Sequence, residues 1–262
     1  MRQRALITGC SGTVGRALRA HLEFAGWEVV PWDRSAVPID DYARMEAFVA
    51  DTKPTALFHL AVASQPTQVP VPTEQAWAVN YDWTSELAWI TRQLGIAFVF
   101  TSTVMVFTEA VPGPYTIAMR PDASHDYGRD KKEGEDRVFS QNPQARVARL
   151  GWQIGDDLGG NQMAAWLDAR GSVEASTRWL PACSMLEDTA DALHRIATGR
   201  AGLYHVDSNE GWSFYDIAMA LRKRHGAQWD ITPSFGRAYD QRLLDARLSM
   251  PTLHSRLPEL GA

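Results

Sequence analysis

Residues 4–15 read Arg-Ala-Leu-Ile-Thr-Gly-Cys-Ser-Gly-Thr-Val-Gly, and the reading of this stretch decides the fold. A short apolar run, Ala5 to Ile7, stops at glycines spaced three apart, Gly9, Gly12 and Gly15, and an amphipathic pattern then runs from Thr13 to about Ala25. That order predicts strand, tight turn, helix. Each glycine has a separate physical reason: Gly9 for a turn that a Cβ would obstruct, Gly12 for close approach of backbone to a pyrophosphate, Gly15 for close packing of helix on strand. The free N–H groups at the helix start then face a diphosphate. Cys10 lies inside this turn, where a small side chain suffices.

Outward from the turn, Gly26 closes the first helix and Trp27 to Trp32 reads as a second strand ending at Asp33. A carboxylate there can accept from both hydroxyls of an adenosine ribose, which favours NAD, whereas Arg34 beside it could meet a 2′-phosphate. The sequence leaves NAD(H) against NADP(H) open, leaning to NAD because Asp33 would repel the phosphate. Ile39 and Asp40 open a short connection, and Tyr42 to Ala50 has helical spacing. Thr55 to Leu60 reads as an apolar third strand, followed by Ala61, Val62, Ala63 and Ser64, small enough for a cofactor to lie against the backbone. His59 in that strand reads as a satisfied core histidine. Gln65 to Pro72, with three prolines, reads as a loop over the site. Thr73 to Leu94 is expected to be one long helix, with Trp77, Tyr81, Leu87, Trp89 and Leu94 as its core-facing stripe. Ile96 to Phe100 is a fully apolar fourth strand arriving at Thr101, Ser102 and Thr103. The alternation predicts a Rossmann-type, doubly wound parallel α/β sheet, with ligands outside the carboxyl ends of its strands.

Tyr127 is followed four residues later by Lys131, one turn along the same face of a helix beginning near Ser124. A phenol is a poor acid at neutral pH, and a nearby ammonium lowers its pKa by favouring phenolate. Lys131 can also reach the ribose of the nicotinamide side. With Thr103 or Ser102 donating to a carbonyl, these groups supply what carbonyl reduction needs: hydride from a cofactor, a proton from Tyr127 and a polariser.

Thr8-Gly9-x-x-Gly12-x-x-Gly15, Asp33, Leu60-Ala61, Asn80, Ser102-Thr103 and Tyr127-x-x-x-Lys131 together resemble the extended short-chain dehydrogenase/reductase superfamily. Within it the likeness is to the dTDP-4-dehydrorhamnose reductases, through Ser102 to Phe107, Arg149 to Gly155, Glu187 to Ala190 and Arg242 to Leu248. The resemblance implies catalysis by Thr103, Tyr127 and Lys131, and cofactor contacts at Gly9, Ser11, Gly12, Thr13, Val14, Asp33, Arg34, Asp40, Leu60, Ala61, Val62, Tyr127 and Lys131. It implies a substrate wall of Ser64, Thr103, Val104, Met105, Tyr127 and Trp152, with Pro66 beside Ser64. Val104 and Met105 replace an acidic and aromatic pair of the family, exchanging a hydrogen bond to the sugar for apolar surface. The implied reaction is NAD(P)H-dependent reduction of a nucleotide-linked 4-keto-6-deoxy sugar or related ketone. Two alternatives stay open: an epimerase or dehydratase that recycles NAD, and a non-catalytic cofactor-binding subunit like the methionine adenosyltransferase regulatory subunit, similar at the level of fold.

The chain divides in this reading into an NAD(P)-binding domain, 1–150, and a part, 151–262, that is mainly a substrate-binding lobe with some segments returning to the Rossmann core. In the second part Asn161 caps a short helix to Ala169, Ser172 to Ser176 is a small strand, Leu186 to Thr198 is helical, Gly202 to Val206 is a strand, and Ser213 starts a helix to His225. The 262 residues suffice for one sizeable α/β domain with a small appended lobe. A net charge of −5 and the absence of a basic stripe argue against a nucleic-acid surface. The first strand starts by residue 4, so no signal peptide is expected, and no apolar run reaches membrane-spanning length. The expectation is a cytoplasmic enzyme with a small-molecule nucleotide-sugar substrate, no nucleic-acid or membrane partner, and a homodimer as its assembly. The two cysteines and the scattered histidines have no metal-ligand spacing, so no metal is expected.

Overall fold

The computed structural model describes residues 3–63, 72–157 and 160–261. Ser64 and Pro66 lie outside the described residues. In chain order the elements are β1 (Arg4–Thr8), α1 (Thr13–Phe24), β2 (Glu28–Pro31), α2 (Tyr42–Thr52), β3 (Ala56–His59), α3 (Thr73–Trp77), α4 (Trp83–Gln93), β4 (Ala97–Thr103), β5 (Tyr115–Thr116), α5 (Asp126–Gln141) and β6 (Arg146–Leu150). There follow β7 (Trp152–Ile154), α6 (Gln162–Asp168), β8 (Ser172–Leu180), β9 (Cys183–Met185), α7 (Leu186–Thr198), β10 (Gly202–Val206), α8 (Phe214–His225), β11 (Asp230–Asp240), β12 (Leu243–Leu244) and α9 (Leu253–Arg256). The chain forms two units, Met1–Thr108 with Pro121–Arg149 and Leu193–Tyr204, and Glu109–Arg120 with Leu150–Ala192 and His205–Ala262.

The sheet of the first unit has the order β10-β6-β4-β3-β1-β2, with β1 parallel to β2 and β3, and β3 parallel to β4. Connections run one way from β1 to β2 and the other way from β3 onward, so the topological switch point falls between β1 and β3. Apolar strands make this possible: β1 and β3 are buried almost throughout, as a sheet covered on both faces requires. Against them pack Trp32, Met45, Val49, Trp83, Leu87 and Val138.

The expected long helix from Thr73 is broken. A π-helical turn, Ala78–Asp82, separates α3 from α4, with Trp83 N–H donating to Ala78 O. The Thr84 hydroxyl donates to Asn80 O at 2.9 Å, supplying the carbonyl with a partner where the helical ladder is interrupted. The expected stripe also needs correction. Leu87 is fully buried, but Trp77, Trp89 and Leu94 are 42%, 37% and 39% exposed. The buried face is Val79, Trp83, Leu87 and Ile90. Both faces of this segment carry apolar residues, and the shorter, branched side chains beside Trp83 fit the sheet, while Trp77 stacks on Tyr81 at 4.2 Å at the surface.

The second unit has its own core, in which Met163, Leu167, Val173, Ile217, Leu221 and Leu253 pack between α6, α8, α9 and β8. β8 is longer than expected, and pairs in parallel with β11. Asn161 caps α6 by accepting from Ala164 N–H at 2.8 Å, and Ser213 and Asp216 form a capping box at α8. Half-buried Asp207 accepts from the N–H groups of Cys183, Asn209 and Leu243, tying three separate segments together. Among the described residues no helix is long and apolar enough to cross a membrane, and no three His, Cys, Asp or Glu side chains are placed to hold a metal ion.

Candidate active site

The glycine turn sits at the switch point. Gly9 has φ +68°, and a Cβ there would lie 2.8 Å from Ala61 N; one on Gly15 would lie 2.2 Å from Gly9 O. Both positions are closed to any side chain. Gly12 differs: its φ of −72° suits any residue, and a Cβ would meet only Gly9 O, at 3.2 Å, with open space otherwise. Gly12 is also the N-cap of α1, with no side-chain cap and no acidic residue in the first turn. The first-turn amides, among them those of Thr13 and Val14, are left for an anion from outside the protein. This bare, Cβ-free cradle fits the diphosphate of a dinucleotide.

The floor of the cradle is held from below. Leu60 and Ala61 N–H both donate to Thr8 Oγ1, at 3.1 and 3.2 Å, so the Thr8 hydroxyl donates to His59 Nδ1 at 2.8 Å. His59 Nε2 lies 2.8 Å from Thr84 Oγ1, whose own hydrogen goes to Asn80 O. The proton count makes His59 a neutral Nε2–H tautomer. Burial, with Lys131 as a lesser cause, pushes its pKa down to about 3. Asn80 continues outward, accepting from Ala63 N–H at 3.0 Å and donating to Asp130 Oδ2 at 3.3 Å. One directed chain of hydrogen bonds thus runs from the glycine-turn strand to the residue beside Lys131.

At the end of β2, Asp33 Oδ1 accepts from Ser35 N–H at 2.8 Å and Ser35 Oγ at 2.7 Å, which lowers the Asp33 pKa and keeps it a carboxylate. Arg34 and Asp40 are exposed.

The ends of β4 and α5 bring the proposed chemical groups together. The Thr103 hydroxyl stands close enough to the Tyr127 phenol to favour its ionised form, and it accepts from Met105 N–H at 3.2 Å. Ser102 faces another partner, donating to Glu135 Oε1 at 2.6 Å. Of the two hydroxyls the sequence left open, Thr103 is the one set against Tyr127. Gly128 allows this, because a Cβ there would stand 2.2 Å from Met105 O, so α5 can begin against the backbone turn that follows Thr103. Lys131 is buried, donates to Thr101 O at 3.0 Å and has Nζ 4.7 Å from the centroid of Phe100.

The expected lowering of the Tyr127 pKa by Lys131 is not found. Burial pushes the phenol up to about 12, and the opposing influence is the Thr103 hydroxyl beside it. Lys131 is itself pushed down to about 8 by burial, with Glu135 and then Asp130 opposing. Its ammonium is turned to the Thr101 carbonyl. Val104, expected in the substrate wall, is buried under the same turn, and Met105 beside it is partly exposed. Trp152 lies in the second unit, partly buried on β7 with its backbone N–H donating to Ala182 O at 2.8 Å.

Sequence reasoning missed Glu135 and Arg149. Arg149 gives Glu135 a bidentate pair, Nε to Oε1 at 2.9 Å and a terminal nitrogen to Oε2 at 2.7 Å, with both residues buried. The signal was present: an arginine inside the apolar run Ala145 to Leu150 requires a buried carboxylate partner, and Glu135 stands one turn beyond Lys131.

The RmlD substrate binding domain family model matches residues 3–249. Methionine adenosyltransferase 2 subunit beta of Xenopus tropicalis is 32% identical over 240 residues, covering 84% of this chain and 71% of that protein. The dTDP-4-dehydrorhamnose reductase of Aggregatibacter actinomycetemcomitans is 27% identical over 232 residues, 83% of this chain and 78% of that protein. The dTDP-4-dehydrorhamnose reductase of Bacillus anthracis, solved in complex with NADP, superposes with a TM-score of 0.83 at 20% identity, over 99% of this chain and 98% of that one.

Proposed function

This chain belongs to the RmlD substrate binding domain family, and from that premise we propose that it is an NAD(P)H-dependent reductase of a nucleotide-linked 4-keto-6-deoxy sugar or a closely related ketone. The observation that carries the reading is the juxtaposition of the Thr103 hydroxyl and the Tyr127 phenol, with buried Lys131 one turn along α5. The named reductase relatives support the substrate class.

A reduced nicotinamide, when bound, would supply the hydride for the carbonyl carbon. Tyr127 gives its phenolic proton to the carbonyl oxygen, so a C=O becomes CH–OH with one hydride and one proton accounted for. The Thr103 hydroxyl, already turned to the phenol, shares the oxygen and holds it in line. Lys131 spends one N–H on Thr101 O, which leaves two for the nicotinamide-side ribose and the phenol. The Gly9–Gly15 cradle and the first turn of α1 would hold the diphosphate, over the floor of Leu60, Ala61 and Val62. The ionised Asp33 favours NADH, because it can accept from ribose hydroxyls and repels a 2′-phosphate.

The preference for an enzyme over a non-catalytic cofactor-binding subunit rests on this chain keeping a proton donor, a polarising hydroxyl and a cofactor-holding ammonium. The test is nicotinamide absorbance with dTDP-4-dehydrorhamnose, NADH and NADPH in parallel. Oxidation is expected with NADH the better donor, and Tyr127→Phe should lose about 10²- to 10⁴-fold in kcat with cofactor affinity kept. Cofactor binding with no oxidation of either donor by the unaltered chain would refute the reductase reading.

A further inference from the structure

We infer that Glu135 is a positioning residue of this site: its carboxylate ties the end of β4 to α5 and β6, and it is the buried counter-charge one helical turn behind Lys131. The inference rests on the reductase reading. Glu135 Oε1 takes the Ser102 hydroxyl and Arg149 Nε, and Oε2 takes a second Arg149 nitrogen. Ser102, Lys131, Glu135 and Arg149 are all buried. Arg149 is pinned on its other side, with Cζ 5.0 Å from the Phe107 ring centroid.

A buried ion pair adds little to stability, since apolar residues of the same shape do as well or better. This one stands where placement matters. Ser102 immediately precedes Thr103, so the bond that holds Ser102 to Glu135 fixes the register of the strand end that presents Thr103 to Tyr127. It also fixes the Thr101 carbonyl on which Lys131 rests.

The charge has a second use. The groups around Lys131 are Tyr127, Asp130 and Glu135 on its own helix, neutral His59 from β3, the Phe100 ring and Thr101 carbonyl from β4, and Arg149 from β6 behind Glu135. Burial drives the ammonium toward neutral amine; the two carboxylates oppose it, Glu135 first. Without Glu135 the lysine would give up its proton, and its hold on the ribose, at lower pH.

The test uses the full chain and NADH binding, read by tryptophan fluorescence quenching from neutral to alkaline pH, beside ketone turnover. Unaltered protein should lose affinity as pH passes about 8. Glu135→Gln should move that limb down by about one pH unit, making binding roughly tenfold weaker between the two limbs. Glu135→Asp, which keeps the charge, should hold the limb near its original place. Ser102→Ala, which keeps the ion pair, should leave the limb and lower kcat about tenfold. Should Glu135→Gln fail to fold with Arg149 left as a bare charge, E135Q/R149M removes both charges and is read in the same way. A purely structural role would lower Tm and leave the pH limb unmoved; that result overturns the counter-charge. Unchanged kcat in Ser102→Ala overturns the strand-end clamp. Unaltered protein that binds neither NADH nor NADPH overturns the reductase reading and this inference with it.

Discussion

Replacing Gly12 and Gly15 in turn by alanine separates a glycine required by the cofactor from one required by the fold. At Gly15 a Cβ would lie 2.2 Å from Gly9 O, 2.8 Å from Cys10 Cα and 2.9 Å from Cys10 C, all backbone atoms that no rotamer change can clear. The turn must open, and an overpacked site of this kind costs about 1–3 kcal/mol. Gly15→Ala should therefore lower both Tm and cofactor affinity. At Gly12 the backbone is in the extended region, at φ −72° and ψ 171°, and a Cβ would face only Gly9 O at 3.2 Å. The stability cost of Gly12→Ala is then that of exchanging glycine for alanine at an N-cap, about 0.5 kcal/mol, together with a small shift of Gly9 O to relieve the close contact. Its effect on binding is larger, because the new methyl stands in the open side of the cradle and displaces the diphosphate from the first-turn amides of α1. Two charge-assisted hydrogen bonds at about 1.5 kcal/mol each amount to roughly a hundredfold loss in affinity. The assays are thermal unfolding by circular dichroism and titration of NADH fluorescence. Gly12→Ala with unchanged Tm and unchanged Kd would refute the cradle; equal losses of Tm in both variants would refute the separation of roles.

Thr84→Val keeps the shape of the side chain but strands the buried His59 Nε2–H and Asn80 carbonyl, so unfolding in urea should show about 1–3 kcal/mol of destabilisation with m unchanged. The depressed His59 pKa gives a pH dependence of defined sign. Unfolded chains bind the imidazole proton below about 6.5 and the folded chain only below about 3, so stability is fully present above pH 6.5 and falls as pH drops toward 3, by up to about 1.4 kcal/mol per unit. His59→Gln can accept from Thr8 and donate to Thr84 without titrating; its stability should fall less steeply than the unaltered chain's between pH 6.5 and 4, and parallel slopes would refute the neutral buried histidine.

What was legible in the sequence is what local pattern enforces. The glycine spacing after an apolar strand and the alternation of apolar strands with helical patterns are local signals, and the sheet follows from their order; the Tyr127–Lys131 interval sets those two residues one turn apart on α5. What was not legible depends on partners distant in the chain. Trp77 and Trp89 look as apolar as Leu87, and only the π-helical turn, stabilised by Thr84 and Asn80 across to His59, decides which face meets the sheet. Ser102 and Thr103 are equivalent hydroxyls until Arg149 brings Glu135 beneath the first of them. The electrostatics of Tyr127 were misread for the same reason: spacing placed an ammonium nearby, but burial, a property of the whole fold, raises the phenol and only Thr103 opposes it.

That reversal bears on the direction of the reaction. A phenol held near pKa 12 stays protonated at neutral pH, so the site rests with a proton to give. Reduction of a ketone consumes a proton as the carbonyl oxygen gains charge, and an alkoxide is a far stronger base than a phenolate, so transfer from Tyr127 remains downhill even with the phenol raised. Oxidation of an alcohol, the first step of an enzyme that recycles NAD in an epimerisation or dehydration, asks the same residue to begin as phenolate. Burial disfavours that form. A phenol protonated at neutral pH is the state that the proposed reduction needs before hydride arrives.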